Sequence, residues 1–498
     1  MPAIITNKFR LNNAEQFSES FSETANEVYY LGIGRPQPFG TATRPDGRTD
    51  YEGTDALPNT PADSIGREFY TYDDLVAAKR ITGSNVSFVI PRRNWTAGTV
   101  YDIYRHDYGE YTTGSTSVRK TSNSGATTLF DATFYVLSSA RNVYKCLDNN
   151  GNSTSTDEPT GVSTSVITTT DGYKWKFMYT LSAAQQANFL STDFMAVSPN
   201  SNPSSDQSNV ISAAVDGAID IVKIKSAGSG GTNGTFTNVP IRGDGSGGLA
   251  TVVVGGGQVT SVTVTTPGTG YTFATISNAQ IVSAGATNLA GAELDVIIPP
   301  KGGHGANAQK ELGAFFVMMN TSLEGTESAN SGDFSAVNDF RKIALFRNPT
   351  KSNSAVTSNT ARLTKAIKIA SSPTPGTFTV DEEINQASTG ATGKVVEWDS
   401  TNNILYYIQT RHSDAGVDAN GNLTAFSGAN VITGQGGSSP TGTPDTSSTG
   451  TVNNVEFTSG YSSPEIDHDS GDVLYIENRT PIQRAPDQTE NIKLVIEF

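Results

Sequence analysis

The densest run of chemistry-bearing side chains in this 498-residue sequence is Glu465, Asp467, His468, Asp469 and Asp472. Hard oxygen donors at alternate positions are what a calcium loop needs. Gly471, however, falls where a third ligand of such a loop should stand, and Asn478 occupies the place of its closing acid. The run therefore reads as capping and turn chemistry, with a metal site as the minor alternative. His106, His304, His412 and His468 lie in turn-like surroundings with neither HxH nor HxxxH spacing. Ordinary surface histidines are the better account of them, and a His–carboxylate pair stays open.

The glycine runs Gly228–Gly234 and Gly243–Gly248 invite comparison with phosphate-binding loops. Neither continues into GK[ST] or opens a helix, so the backbone donors of such a loop are missing and β-turns explain them. Cys146, in VYKCLD, sits mid-strand as a packed thiol, and there is no G-x-S-x-G elbow. Acidic residues are too common for spacing to single out a glycosidase pair. The expectation is a protein without catalytic residues, cofactor or bound metal. Arg92 and Arg93 precede Trp95 at the end of a strand. Two planar guanidiniums beside an indole suit a protein interface, and a strand-end salt bridge suits them equally.

The elements that must position these residues follow from composition and period. Gly, Ser, Thr and Asn are abundant and helix formers thin, which predicts a mostly-β, loop-rich protein of two to four domains. Charge is 34 basic against 49 acidic residues, −15 net, without a basic block. That balance argues against nucleic-acid partners and anionic membranes. A single cysteine precludes an internal disulfide. No secretory leader and no long apolar run is evident, so neither export by signal nor membrane insertion is expected.

Ala14, Phe17, Phe21, Ala25 and Val28 have helical spacing and lead toward a strand at 28–33. Residues 35–61 form a polar arm with five prolines. Thr71 with Asp73 and Asp74 predicts a helix reaching Arg80. Strands are expected at 86–90, 100–104, 133–137, 142–147 and 173–181, the last after an Asp171-Gly172 turn. Ser182 should cap a helix over 183–190. Ile219, Val222, Ile224, Gly228 and Gly230 recur at an offset of 40 as Val259, Val262, Val264, Gly268 and Gly270. This duplication, with a strand at 252–254 between its copies, marks an inserted β module. Strands return at 312–320 and 341–346. A second glycine-rich segment has strand candidates at 377–380, 394–398 and 404–408, and residues 434–451 read as a flexible loop or linker. The C-terminal segment from Gly460 contains two strands, 472–477 and 491–498, which read as a docked hairpin.

The architecture predicted is an antiparallel, β-sandwich-like body with few short helices and two inserted glycine-rich β modules. Its divisions are 1–200 and 311–349 for the body, 201–310 and 350–456 for the modules, and 457–498 for the strands that complete the body.

Seven pieces occur in an order that resembles the baseplate wedge subunit of T-even-like contractile-tailed bacteriophages. They are TNKFR from Thr6, LGIGRPQPF from Leu31, VIPRRNW from Val89 and VYKCLD from Val143. EPTG with DGYKWKFMYTL follows from Glu158, then FRKIALFRNP from Phe340 and SGDVLYIENRTPIQRAPDQTENIKLVIEF from Ser470. The last is the most specific, because ENR-x-P-I and DQTE-x-I are polar sequences that strand propensity does not dictate. The two glycine-rich modules look like those decorating tail proteins of some marine cyanobacterial phages.

The resemblance implies a non-enzymatic structural protein of the virion tail baseplate, assembled in the host cytoplasm. It implies a homodimer that contacts other wedge proteins and takes part in triggering sheath contraction, with at most indirect contact with the host surface. Arg92, Arg93, Trp95, Glu477, Asn478, Arg479, Asp487 and Gln488 are the interface candidates. The rival reading, suggested by the aromatic, glycine-rich modules, is a tail-associated carbohydrate-binding adhesin or cell-wall-degrading enzyme.

Overall fold

The computed structural model describes residues 4–498 apart from 24–26, 40, 44–48, 52, 110–119, 325–337, 411–415, 421 and 485–487. The fold is mostly β, built from antiparallel ladders with short helices. The chain divides into two compact units, one made of Met1–Gln16, Ser87–Met318 and Val495–Phe498, the other of Phe17–Val86 and Met319–Leu494.

In the first unit a four-stranded sheet runs in the order Ile167–Thr168, Lys174–Thr180, Asn142–Asp148, Tyr135–Leu137. The Asp171-Gly172 turn opens its longest ladder as expected. Gly172 takes a positive φ, and the Asp171 carboxylate accepts from the Thr156, Asp157 and Tyr173 amides. Trp175, Phe177 and Tyr144 pack on one face of this sheet with Tyr101 and Tyr173, while Val143, Leu147 and Tyr179 join a second core with Phe134 and Val89. Ser182 caps the helix Ala183–Phe189 through a reciprocal bond with Gln185.

Residues 219–298 of the same unit surround a core of their own containing Val239, Val252, Val254, Tyr271 and Leu289. Leu249–Gly255 alternates between buried and half-buried positions and turns through Gly256-Gly257, both at positive φ, into Gln258–Thr266. The duplication is visible in the backbone. Gly228 and Gly230 have φ of 68° and 76°, and their counterparts Gly268 and Gly270 have 68° and 74°. A side chain at any of these four positions would be strained, so the copies share a turn that requires glycine.

In the second unit a five-stranded sheet has the order Thr360–Arg362, Leu75–Ile81, Tyr29–Gly34, Phe340–Arg347, Asp472–Ile482. Tyr30, Leu75, Ala78, Ala344 and Phe346 form its core. A seven-stranded sheet runs from Thr441–Gly442 through Ile432–Gly434, Glu383–Gln386, Ala391–Asp399, Ile404–Ile408 and Lys365–Lys368 to Tyr461–Ser462. Ile367, Ile384, Val395, Leu405 and Tyr407 are buried on it.

Several expectations are corrected. Residues 71–80 are not a helix. The helix is Ile65–Thr71, capped by Ser64, and Leu75–Ile81 is a strand between Tyr29–Gly34 and Thr360–Arg362. The helix-favouring Ala77 and Ala78 are overridden by tertiary pairing on both edges. Residues 100–104 form no strand. Their polar groups turn to side chains and single bonds, with the Tyr101 amide donating to the Tyr173 hydroxyl and the Tyr104 amide to the Cys146 carbonyl. Phe378 is buried, but 377–380 forms no ladder either. The run 434–451 is not a linker, for it supplies the sheet strand Thr441–Gly442 and the strand Gly450–Val452. The C-terminal strands Asp472–Ile482 and Thr489–Glu497 are not a hairpin, because they belong to different sheets.

Candidate functional site

At the end of Val86–Pro91 in the first unit, the two arginines are tied into their own fold. The Arg92 guanidinium donates to the Ser191 carbonyl at 2.7 Å and the Asn94 side chain at 2.9 Å. Arg93 donates to the backbone carbonyls of Phe130, Asp131 and Ala132 and lies 4.5 Å over the Tyr135 ring. The Trp95 indole donates to Ser155 Oγ at 3.1 Å. All three side chains are half-buried.

Glu477, Asn478 and Arg479 lie in Asp472–Ile482, the edge strand of the five-stranded sheet. Asn478 donates to the Asn59 carbonyl at 3.1 Å and lines a pocket of about 220 Å3 with Asn59–Ala62, Arg67, Tyr70, Thr71, Lys342 and Ile476. Glu477 accepts from the Tyr475 hydroxyl at 2.8 Å and lies 3.9 Å from the Arg479 guanidinium. Leu474, on the same strand, is 43% exposed. A long edge strand with an exposed apolar side chain is a surface on which another chain can pair. Gln488 is exposed. Asp487 lies outside the described residues.

The acidic run 465–472 serves as caps and ion pairs. Glu465 accepts from the Arg362 amide, Asp467 from the Ser352 amide, and Asp472 pairs with Arg347 at 2.8 Å. His468 is more than a surface histidine. Its Nε2 lies 2.6 Å from Asp73 and its Nδ1 2.7 Å from Asp469, with the Tyr72 ring 5.7 Å away. Burial pulls the imidazole pKa down, but the two carboxylates outweigh it and hold the group above its ordinary value. Next to Asp73 in sequence, Asp74 accepts two bonds from Lys342 at 2.9 and 3.0 Å and lies 3.6 Å from Arg35, all of them buried. His304 is buried edge-on against Tyr104, and burial followed by the Lys145 and Lys176 charges keeps it neutral. The His106 ring accepts from the Ile298 amide, and His412 lies outside the described residues. Among the described residues no cluster of three or more His, Cys, Asp or Glu is arranged to hold a metal ion. Cys146 is buried, and its thiol is pushed well up by burial.

The centre that sequence reasoning missed is Lys145. Its side chain is fully buried and paired with Glu311, itself 2% exposed, across 166 residues of chain. Lys145 stands directly opposite Lys176 in the neighbouring strand. The lysines inside the apolar runs VYKCLD and YKWKFMY were the available signal, since a lysine is seldom fully buried unless paired.

No protein-family model matches the chain, and no curated protein matches it.

Proposed function

We propose that the chain is a structural subunit of the baseplate wedge of a contractile phage tail, joining neighbouring wedge proteins and passing on the trigger for sheath contraction. What supports this reading is that the sequence pieces carrying the resemblance pair with one another. The pieces beginning at Leu31, Phe340 and Ser470 are far apart in sequence, yet they supply three adjacent strands of one sheet. Those at Val143 and Asp171 form a second ladder. The piece ending at Arg10 places that guanidinium on the Phe498 carbonyl and the Glu497 carboxylate of the last piece. The glycine-rich stretches gather separate apolar clusters within 219–298 and 367–461. Pieces that pair mutually while the intervening stretches pack among themselves are what an ancestral body with added modules would contain.

In this role the protein is a homodimer within the virion, assembled in the host cytoplasm, with other wedge proteins as partners and no catalytic step. The edge strand carrying Glu477–Arg479 is the surface best suited to such a contact. Sedimentation of the purified full chain, alone and mixed with the neighbouring wedge proteins of the same phage, is the test. A dimer that co-sediments with a wedge neighbour is expected. A monomer at micromolar concentration that captures none of them would overturn the proposal.

A further inference from the structure

Lys145 and Glu311 meet in a setting built for more than an ion pair. Lys145 projects from Asn142–Asp148, and Glu311 from the helix Ala308–Leu312. The ammonium faces Oε2 of Glu311 and lies 5.0 Å from the centre of the Tyr104 ring, with the neutral His304 ring against that same tyrosine. The other carboxylate oxygen, Oε1, accepts from the Asn307 amide at 3.0 Å and from the Gly305 amide at 2.9 Å, a donor it shares with Oε2 at 3.0 Å. Gly305 makes this cradle possible. Its φ is +94°, and a Cβ there would come within 2.5 Å of Val210 and 3.1 Å of Lys176.

The surroundings disfavour charge on Lys145. Lys176, opposite Lys145, keeps its own ammonium on the Thr164 carbonyl at 2.6 Å, so protonating Lys145 places like charges on adjacent strands. Burial lowers the Lys145 pKa more than Glu311 and Asp220 raise it. Asp220 is close enough to feel both lysines, and burial nevertheless lifts its carboxyl above the usual range. An amine whose charge is disfavoured, set against an acyl carbon whose oxygen accepts from two fixed amide donors, supplies the components of acyl transfer.

We propose that Lys145 and Glu311 join in an intramolecular isopeptide bond. The Lys145 ammonium passes a proton to Oε2 of Glu311, and the amine attacks Cδ. Charge developing on Oε1 is held by the Gly305 and Asn307 amides. One of the two protons left on nitrogen then passes to Oε2, which leaves as water. One C–N bond forms and one C–O bond breaks. No oxidant or metal is consumed. The product closes a long loop covalently in a chain that has only one cysteine.

Mass spectrometry of the purified full chain tests this directly. Protease digestion should yield a branched peptide joining Lys145 to Glu311, one water lighter than its two parts, and E311A should remove it. Separate, unmodified peptides carrying Lys145 and Glu311 in the wild-type chain would overturn the proposal.

Discussion

The Arg93 guanidinium lies over the Tyr135 ring and donates to the carbonyls that close the 130–132 turn, so it connects Val86–Pro91 to the segment entering Tyr135–Leu137. Lysine keeps the charge but loses the planar fork that reaches several carbonyls while stacking. R93K should therefore lower stability by about 1–2 kcal/mol, read from the urea midpoint. An unchanged midpoint combined with weakened wedge binding would mean that Arg93 acts outward, at an interface.

Asp74 balances two buried cations. Replacing it with asparagine leaves Lys342 and Arg35 charged within the five-stranded sheet and its approach. D74N should cost about 3–5 kcal/mol, the penalty for breaking one side of a buried pair. Methionine at Lys342 removes one of the stranded charges, so D74N/K342M should recover part of that loss. A double-mutant cycle in urea measures the coupling, and additive losses would rule out the pairing.

His468 gives stability a defined pH dependence. Its pKa is raised in the fold by Asp73 and Asp469 against the pull of burial, and the groups facing it are those two carboxylates and the Tyr72 ring. A raised value means that the folded state holds the proton more tightly than the unfolded chain. The contribution is complete below the ordinary histidine value of about 6.5 and disappears as pH rises through the raised one. The stability difference between wild type and H468N should thus be largest below about pH 6.5 and shrink as pH rises through the raised value. A difference that grew with pH would contradict the pairing.

Local signals were legible where one segment carries its own explanation. The apolar strand candidate Ile404–Ile408, the Asp171-Gly172 turn and the Ser182 cap all became the elements their residues imply. The duplicated glycines fell on matching positive-φ turns. Of the interface candidates, Arg92, Arg93 and Trp95 could be placed at a strand end, but not their bonds to Ser191, Ala132 and Ser155, which depend on how distant loops return. Residues 71–80 failed for a related reason. Alanine and the first-turn acids favour a helix locally, while two flanking strands from elsewhere in the chain impose extension.

By itself, then, the sequence determined the β class, the disulfide-free chemistry and the repeat within its first glycine-rich stretch, because backbone period, residue type and glycine conformation are properties of short segments. Tertiary structure alone decided which strands are neighbours. It separated the last two strands into different sheets, brought His468 against Asp73, and buried Lys145 against Glu311. These are pairings across more than a hundred residues or choices between sheets. They arise from burial and charge compensation among groups that no local pattern brings together.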